Sequence, residues 1–274
     1  MVHKIAFIGA GSMAEAIISG IIRRKIIDCG KIFVTNKSDE HRLKELSDQY
    51  HVTCTNDKEK ALNNAEVVIL SMKPQDVKEA IHSIKAFVTS DQLIISVVAG
   101  GSTDMILQLL QKRIPIIRAM PNTSAFIGYS ATALSYGKYA TEDHMMIAKR
   151  LFNTIGISTI IDEQHMHVVT SISGSGPAYF YYLVEAMEKA AIDLGFDPQV
   201  AQTLLLQTVV GVGEMLSHSG KSAKQLRQDI TSPQGTTEAG LEALFENDFQ
   251  SIVEQCIRAA HRRSIELGHK LSNE

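Results

Sequence analysis

Short apolar runs alternate with amphipathic segments over the first part of the chain. Residues 4–8 form one such run, and residues 14–22 then carry apolar side chains at every third or fourth position. A run of this kind suits a buried parallel strand, and the wider spacing suits a helix packed on a sheet. The pattern predicts a mostly parallel sheet, with strands at 4–8, 31–35, 66–72, 93–99 and 115–120, helices near 39–50, 74–87 and 102–112, and a last helix–strand pair over 141–161.

Beyond residue 162 the spacing is helical throughout, with helices predicted at about 177–195, 198–218, 221–229, 236–246 and 248–270. The sequence therefore predicts an α/β domain over residues 1–162 and an all-α domain over residues 163–274. Residues 201–216 are apolar on nearly every face, which is more than one chain can bury. We therefore expect a homodimer through the C-terminal helices, with a higher oligomer of dimers left open.

The composition is that of an ordinary soluble globular protein. Of the 274 residues, 45% are hydrophobic and 21% are charged, and the formal net charge is −3. The chain lacks the basic stripe of a nucleic-acid-binding protein. It also has no apolar run of 18 residues, and its N-terminus has no signal-peptide cleavage pattern. These features predict a cytoplasmic protein that binds neither nucleic acid nor a membrane.

The cysteines and histidines predict neither disulfides nor a metal site. Cys29, Cys54 and Cys256 are odd in number and scattered, which is typical of reduced thiols. His165 and His167 are two positions apart and would face opposite ways on a helix, and no Cys/His cluster has the spacing of metal ligands. We therefore expect no metal.

The first chemical motif is "GAGSMA" at residues 9–14, directly after a predicted strand and at the start of a predicted helix. In this context Gly9 permits a tight turn, Gly11 permits close approach of a pyrophosphate, and Ala14 lets helix and strand pack closely. The helix N-terminus then offers N–H groups to the phosphates. The motif predicts a Rossmann-type dinucleotide-binding domain, with a turn that binds no ligand as the alternative. The predicted cofactor contacts are Ile8, Gly9, Ala10, Gly11, Ser12 and Met13.

The end of the second strand bears on the choice of cofactor. It reads Thr35, Asn36 and Lys37, where a site for NAD usually places an acid that binds the ribose 2′-hydroxyl. A neutral tip followed by a cation suits the 2′-phosphate of NADPH, so Asn36 and Lys37 are predicted contacts and NADPH is preferred. NAD is the alternative cofactor, because a small shift in the alignment of the strand end would bring in an acid. Asp39 and Glu40 lie just beyond it and could instead cap the next helix.

Two later strand ends extend the predicted cofactor site, because the carboxyl ends of parallel strands line the cofactor crevice. The segments are "LSMKP" at 70–74 and "VVAGG" at 97–101. Lys73 has the alternative of being a solvated lysine before a helix that starts with proline. The predicted contacts are Ser71, Met72, Lys73, Pro74, Ala99 and Gly100.

A loop rich in hydroxyl groups and glycine, "ITSPQGTT" at 230–237, precedes a late helix. The N–H groups at such a helix start form a cup that can hold a small carboxylate without an arginine. Ser232, Gly235, Thr236 and Thr237 are the predicted substrate-binding residues. The alternative is a threonine that caps the helix and has no further role.

The chain resembles the Δ1-pyrroline-5-carboxylate reductases over residues 4–268. The resemblance is carried by "FIGAGSMA" at 7–14, "MKP" at 72–74, "RAMPN" at 118–122, "SGSGPAY" at 173–179 and "TSPQGTT" at 231–237. The last two motifs are the most specific, since many families share the dinucleotide turn. One departure is Gln234, where the family usually has a small residue, commonly glycine.

The resemblance implies reduction of a cyclic imine to L-proline with NADPH or NADH, the last step of proline biosynthesis, and a helical domain that interleaves with a partner subunit. It places the substrate carboxylate on the N–H groups of Gly235, Thr236 and Thr237. It also places the Thr237 hydroxyl near the imine nitrogen, which makes Thr237 the predicted catalytic residue, and puts Asn56 near the adenosine part of the cofactor.

Two alternatives stay open. One is a related imine or β-hydroxy-acid reductase, which for hydroxy acids would use a lysine in the helical domain. Lys189, Lys221 and Lys224 lie there, but none is in a matching motif. The other is a non-catalytic protein that binds NADPH.

Overall fold

The computed structural model describes residues 2–273 and divides by packing into two units. The sheet unit runs to Pro177 and resumes at Ala259, and the helical unit is Ala178–Arg258. The final segment of the chain therefore packs with the sheet unit. The boundary between the two packing units, after Pro177, lies fifteen residues beyond the predicted domain boundary at residue 162. The predicted division into functional domains at 162/163 stays a prediction.

The sheet unit is built on one sheet of eight strands, in the order β3-β2-β1-β4-β5-β6-β7-β8. Every neighbouring pair is parallel except β6 and β7. The predicted α/β fold with a mostly parallel sheet is confirmed. The strands are β1 (Ile5–Ile8), β2 (Ile32–Thr35), β3 (Thr53–Cys54), β4 (Val67–Leu70), β5 (Leu93–Ser96), β6 (Ile116–Met120), β7 (Ser130–Tyr136) and β8 (Gly156–Ile160).

Alternate strand residues enter two apolar cores, one on each face of the sheet. Ile5 and Phe7 of β1 face one core, and Ala6 and Ile8 face the other. Helices α1, α2 and α6 cover the first face, and α3, α4 and α5 cover the second. Their bounds are α1 (Ser12–Arg23), α2 (Glu40–Tyr50), α3 (Lys58–Leu62), α4 (Val77–Ile84), α5 (Thr103–Leu110) and α6 (Glu142–Phe152), followed by α7 (Met166–Val169).

The order of the strands opens a crevice at one edge of the sheet. β1 and β4 are neighbours in the sheet, and the chain continues from β1 to β2 on one side of this pair and from β4 to β5 on the other side. The connections above the carboxyl ends of β1 and β4 therefore diverge, which opens a space at that edge. The predicted phosphate turn stands at the end of β1, and "LSMKP" stands at the end of β4.

The remaining helices are α8 (Gly176–Asp193), α9 (Pro198–His218), α10 (Ala223–Asp229), α11 (Thr236–Glu246) and α12 (Phe249–Asn273), close to the predicted bounds. In the helical unit, all of whose residues are described, Ala201 alone is buried. Its large apolar side chains are mostly exposed, among them Phe180, Leu194 and Leu206. A single copy of this unit thus has no core, as the sequence pattern predicts for a segment that needs a partner.

Helix α9 also bears on the expectation that no helix spans a membrane. By length and composition alone α9 could cross a bilayer, and 6% of its most apolar stretch is buried in one chain. One helix of this kind is weak evidence, because the core helix of a soluble protein passes the same test. Contact with another protein chain would account for the exposed apolar surface of α9 equally well.

The end of α12 is attached to the sheet unit by close backbone packing and one polar contact. Gly268 lies so near Gly100 that a Cβ built on Gly100 would stand 3.2 Å from the Gly268 nitrogen. Ser264 Oγ lies 2.8 Å from Nδ1 of His167, and Leu271 enters the core beside α4 and α5. Burial, followed by the positive charge of Arg118, lowers the pKa of His167, so the neutral ring is favoured at this contact.

Candidate active site

Gly9 holds the tight turn at the end of β1. Its φ is +111°, and a Cβ there would stand 2.8 Å from the Met72 nitrogen and from the Ser71 carbonyl carbon and oxygen. The Ser71 hydroxyl donates to the Gly9 carbonyl at 3.0 Å. The end of β4 therefore braces the turn so tightly that only glycine fits.

The helix that follows the turn starts without a side-chain cap. Gly11 occupies the N-cap position of α1, and no side chain accepts a hydrogen bond from the first N–H groups. A Cβ on Gly11 would meet nothing closer than the Ser71 oxygen at 3.9 Å, so the space before the helix is open. An open glycine cradle at an uncapped helix N-terminus fits the pyrophosphate of a dinucleotide.

Arg42 of α2 fixes the orientation of this turn, a role the sequence analysis missed. Its Nε donates to the Ala10 carbonyl at 3.0 Å. In a trans peptide the carbonyl and the next N–H point in opposite directions, so holding the Ala10 oxygen turns the Gly11 N–H away from Arg42. Arg42 also pairs with Glu15 and with Glu45. No sequence pattern links an arginine to a turn 32 residues earlier.

A cleft of about 600 Å³ lies along the turn and the ends of β2 and β4. We call it the cofactor cleft. It brings together many of the predicted contacts, namely Ile8, Gly9, Ala10, Gly11, Ser12, Asn36, Lys37, Ser71, Met72 and Lys73. It also includes groups that were not predicted, among them Glu15, Arg42, Lys58, Asp76 and Glu79.

The other predicted contacts lie outside the lining of the cofactor cleft. Met13 packs against the core beneath α1, and Gly100 lies against the backbone of Gly268. Pro74 begins the 3₁₀ turn Pro74–Asp76 directly after Lys73. Ala99 is half-buried beside Gly100, and Asn56 is exposed between β3 and α3. Their roles in cofactor binding stay predictions.

The charged groups at the end of β2 have defined partners. Lys37 Nζ donates to Glu79 of α4, and this hydrogen bond, together with the charge of Glu79, raises the pKa of Lys37. Asp39 accepts a hydrogen bond from the Arg42 N–H at 2.9 Å and so caps α2. Asp39, the acid nearest the end of β2, therefore serves as the N-cap of α2, and the residues at the end of the strand itself are Asn36 and Lys37.

Two of the sequence motifs meet elsewhere in the sheet unit. Asn122 Nδ2 of "RAMPN" donates to the Ser173 carbonyl of "SGSGPAY" at 3.2 Å. A Cβ on Gly174 would come within 2.8 Å of the Met120 methyl. The segment Thr170–Gly174 is a π-helical turn, which was not predicted and is frequent at functional sites.

The loop before α11 has the form of an anion cup. Gly235 is the N-cap, and it makes no side-chain hydrogen bond to the helix, so the alternative of a threonine cap does not apply. The Gly235 N–H donates to the Ser232 carbonyl at 3.0 Å. Because the Gly235 N–H is used within the loop, the N–H groups available to a ligand at the uncapped helix start are those of Thr236 and Thr237. Thr237 is half-buried, whereas Thr236 and Ser232 are exposed.

Gln234, which differs from the small residue usual in the family, adopts a backbone conformation that favours glycine. Gln234 has a φ of +59°, the left-handed region in which glycine is free of strain, and its N–H donates to the Glu238 carboxylate at 2.6 Å. A loop with this geometry favours the small residue that the family usually has there.

We expect Gln234→Gly to raise the free energy of unfolding by about 0.5–1 kcal/mol, because relief of left-handed strain outweighs the added entropy of the unfolded chain. Thermal unfolding at equal chain concentration measures it. Gln228→Gly, inside α10, is the control and should destabilise by about 1 kcal/mol. Equal destabilisation by both substitutions would contradict the strain at position 234.

The described chain has no evident metal site, and two of the three lysines considered for a catalytic role are held in ion pairs. Among residues 2–273, no group of three His, Cys, Asp or Glu side chains could hold a metal ion. Lys189 pairs with Asp193, and Lys221 pairs with Asp229 at 2.7 Å, on exposed helix surfaces. The three cysteines are free thiols, and burial raises the pKa of Cys54 to about 11.

Comparison with known proteins gives matches along nearly the whole chain. A family model described as pyrroline-5-carboxylate reductase dimerisation matches residues 163–267, and one described as NADP oxidoreductase coenzyme F420-dependent matches residues 4–100. Pyrroline-5-carboxylate reductase 2 of Bacillus subtilis is 45% identical over 96% of this chain and 95% of its own length. A Staphylococcus epidermidis pyrroline-5-carboxylate reductase is 39% identical over 97% of this chain and 98% of its own.

Solved structures agree with these matches. The pyrroline-5-carboxylate reductase of Coxiella burnetii has a TM-score of 0.90 and 33% identity, covering 97% of this chain and 99% of its own. The pyrroline carboxylate reductase of Plasmodium falciparum, solved with NADP bound, has a TM-score of 0.88 and 27% identity, covering 97% of this chain and 98% of its own.

Proposed function

The chain belongs to the pyrroline-5-carboxylate reductase family and is an NADP-binding oxidoreductase, and we propose that it reduces the C=N bond of 1-pyrroline-5-carboxylate to give L-proline. The observation that carries this proposal is the start of α11. There, a family-matched segment presents the N–H groups of Thr236 and Thr237 without a side-chain cap. Such a start can hold a small carboxylate.

The cofactor cleft supplies the site for NADPH. The uncapped start of α1 and the glycines of the turn would hold the pyrophosphate, and Asn36 and Lys37 would meet the 2′-phosphate. When bound, NADPH supplies the hydride. NADPH is the preferred cofactor because no acid occupies the tip of β2, with NADH as a poorer alternative.

The chain's own residues position the substrate. The N–H groups of Thr236 and Thr237 bind its carboxylate, and the Ser232–Gly235 hydrogen bond keeps the loop in shape. The Thr237 hydroxyl donates to or accepts from the ring nitrogen and orients it. A neutral threonine is a poor acid, so Thr237 positions or relays a proton and does not generate one. An iminium carbon is already a good hydride acceptor, so orientation accounts for much of the rate.

The match to the dimerisation domain supports a homodimer. The exposed apolar side chains of α8, α9 and α11 indicate that these helices form the interface, and dimers can associate further into a higher oligomer. The protein acts in the cytoplasm, where reduced thiols such as Cys54 and Cys256 are stable.

The test of this function is NADPH oxidation by the purified protein with three substrates: 1-pyrroline-5-carboxylate, a six-membered cyclic imine, and the oxidised form of a β-hydroxy acid. We expect oxidation with the first, with proline formed in equal amount. Turnover of the keto acid alone would favour a β-hydroxy-acid reductase. Tight NADPH binding with no turnover of any substrate would favour a non-catalytic NADPH-binding protein.

Arg42→Met should weaken the binding of NADPH and of NADH equally, by about ten-fold each. The substitution frees the Ala10 carbonyl and removes the cation paired with Glu15 beside the pyrophosphate site, while Glu15 keeps its hydrogen bond from the Tyr50 hydroxyl. Neither effect depends on the 2′-phosphate. Isothermal titration measures both dissociation constants. Arg24→Met, on the exposed surface after α1, is the matched control. Loss confined to NADPH would instead show that Arg42 reads the 2′-phosphate.

A further inference from the structure

Lys37 is paired with an acid on the opposite wall of the cofactor cleft. Its Nζ donates to Glu79 Oε2, and both residues line the cleft, Lys37 from the end of β2 and Glu79 from α4. The two side chains are 60% and 65% exposed, so water reaches the pair and either side chain can exchange its partner. The residue at the tip of β2 thus has a competing anion beside it.

Among the charged groups near Lys37 and Glu79, Arg42 and Asp39 already have other partners. Arg42 is engaged by Glu15, Glu45 and the Ala10 carbonyl. Asp39 accepts from the backbone of α2. Lys58 and Lys73 also line the cleft, and Asp76 adds a second negative charge that acts on Lys37. Lys37 is therefore a cation at the tip of β2 that an anionic ligand can reach, and Glu79 is its bonded counter-ion.

We propose that Glu79 sets how strongly the protein prefers NADP(H) over NAD(H), by competing with the 2′-phosphate for Lys37. This inference rests on the proposed function of the cleft. A 2′-phosphate carries between one and two negative charges at neutral pH, so it must share Lys37 with Glu79 and is repelled by it. A ribose 2′-hydroxyl is neutral and meets no such repulsion. Glu79 thus weakens NADP(H) and leaves NAD(H) nearly unaffected.

The experiment is equilibrium binding of NADP⁺ and NAD⁺, measured by isothermal titration, to four proteins: wild type, Glu79→Gln, Lys37→Met and the double variant. Glu79→Gln should tighten NADP⁺ about three- to five-fold and leave NAD⁺ within about two-fold, a change at the upper end for exposed charges. In the Lys37→Met background the same substitution should tighten NADP⁺ much less, because only the direct repulsion between Glu79 and the phosphate is then relieved. Added salt should shrink the gain.

Glu40→Gln is the matched control, since it removes the same charge from an exposed position close to the tip of β2 that does not line the cleft. It should change neither dissociation constant. The proposal is overturned if Glu79→Gln leaves NADP⁺ binding unchanged, if it tightens both nucleotides equally, or if its effect on NADP⁺ is undiminished in the Lys37→Met background. Failure of the wild type to bind either nucleotide would instead overturn the proposed function.

Discussion

Thr237→Ala should lower kcat for 1-pyrroline-5-carboxylate by about a hundred-fold, the scale of a lost positioning and proton-handling group, with NADPH affinity unchanged. The side chain is half-buried at the open start of α11, and its backbone N–H survives the substitution, so carboxylate binding is largely kept. Steady-state kinetics should therefore show a large loss in kcat and a small change in KM.

Two variants make this result specific. Thr236→Ala removes a neighbouring hydroxyl that is exposed, keeps the same N–H group, and should keep most of the turnover. Thr237→Ser retains a hydroxyl and should recover much of the lost rate. Full activity of Thr237→Ala in a protein with a normal melting curve would rule out the catalytic role of this residue.

Gly9→Ala should weaken NADPH binding by about a hundred-fold and lower the free energy of unfolding by about 2 kcal/mol, even without cofactor. Its Cβ would stand 2.8 Å from backbone atoms of Ser71 and Met72, and an alanine at φ +111° is strained. The turn must shift to relieve this contact, so its N–H groups no longer converge on the pyrophosphate. Differential scanning calorimetry and titration with NADPH measure the two effects.

Gly11→Ala separates strain from ligand contact. A Cβ at Gly11 meets nothing closer than 3.9 Å, so the protein without cofactor should lose less than about 1 kcal/mol of its free energy of unfolding, the cost of alanine at an N-cap. That Cβ occupies the space before α1, so NADPH binding should still weaken. If both glycine variants bound NADPH as tightly as the wild type, the turn would not be the pyrophosphate site.

The sequence predicted the sheet unit because its central strands are apolar runs that enter cores on both faces, as Val67–Leu70 does. It missed β7, "SATALSY", because this strand mixes small and polar residues and pairs antiparallel to β6. It also missed the two-residue β3, which is too short for any periodic signal. Apolar periodicity reports burial, so strands that are polar or very short escape it.

The candidate site shows the same division between local and long-range information. The glycine turn, the tip of β2 and the 230–237 loop were predicted because their chemistry lies in consecutive residues. Contacts that join distant segments were not. Arg42 reaches Ala10 across 32 positions, and Glu79 reaches Lys37 across 42. The return of Gly268 to Gly100 likewise has no local signature, because it depends on the path of α12.

The most direct test of hydride transfer to a C=N bond uses NADPH carrying deuterium in both positions at nicotinamide C4. The reaction is run in ordinary water with 1-pyrroline-5-carboxylate, and the proline is analysed by mass spectrometry and NMR. We predict one deuterium per proline, bound at ring carbon 5. Proline free of deuterium, or a label at any other carbon, would contradict this account.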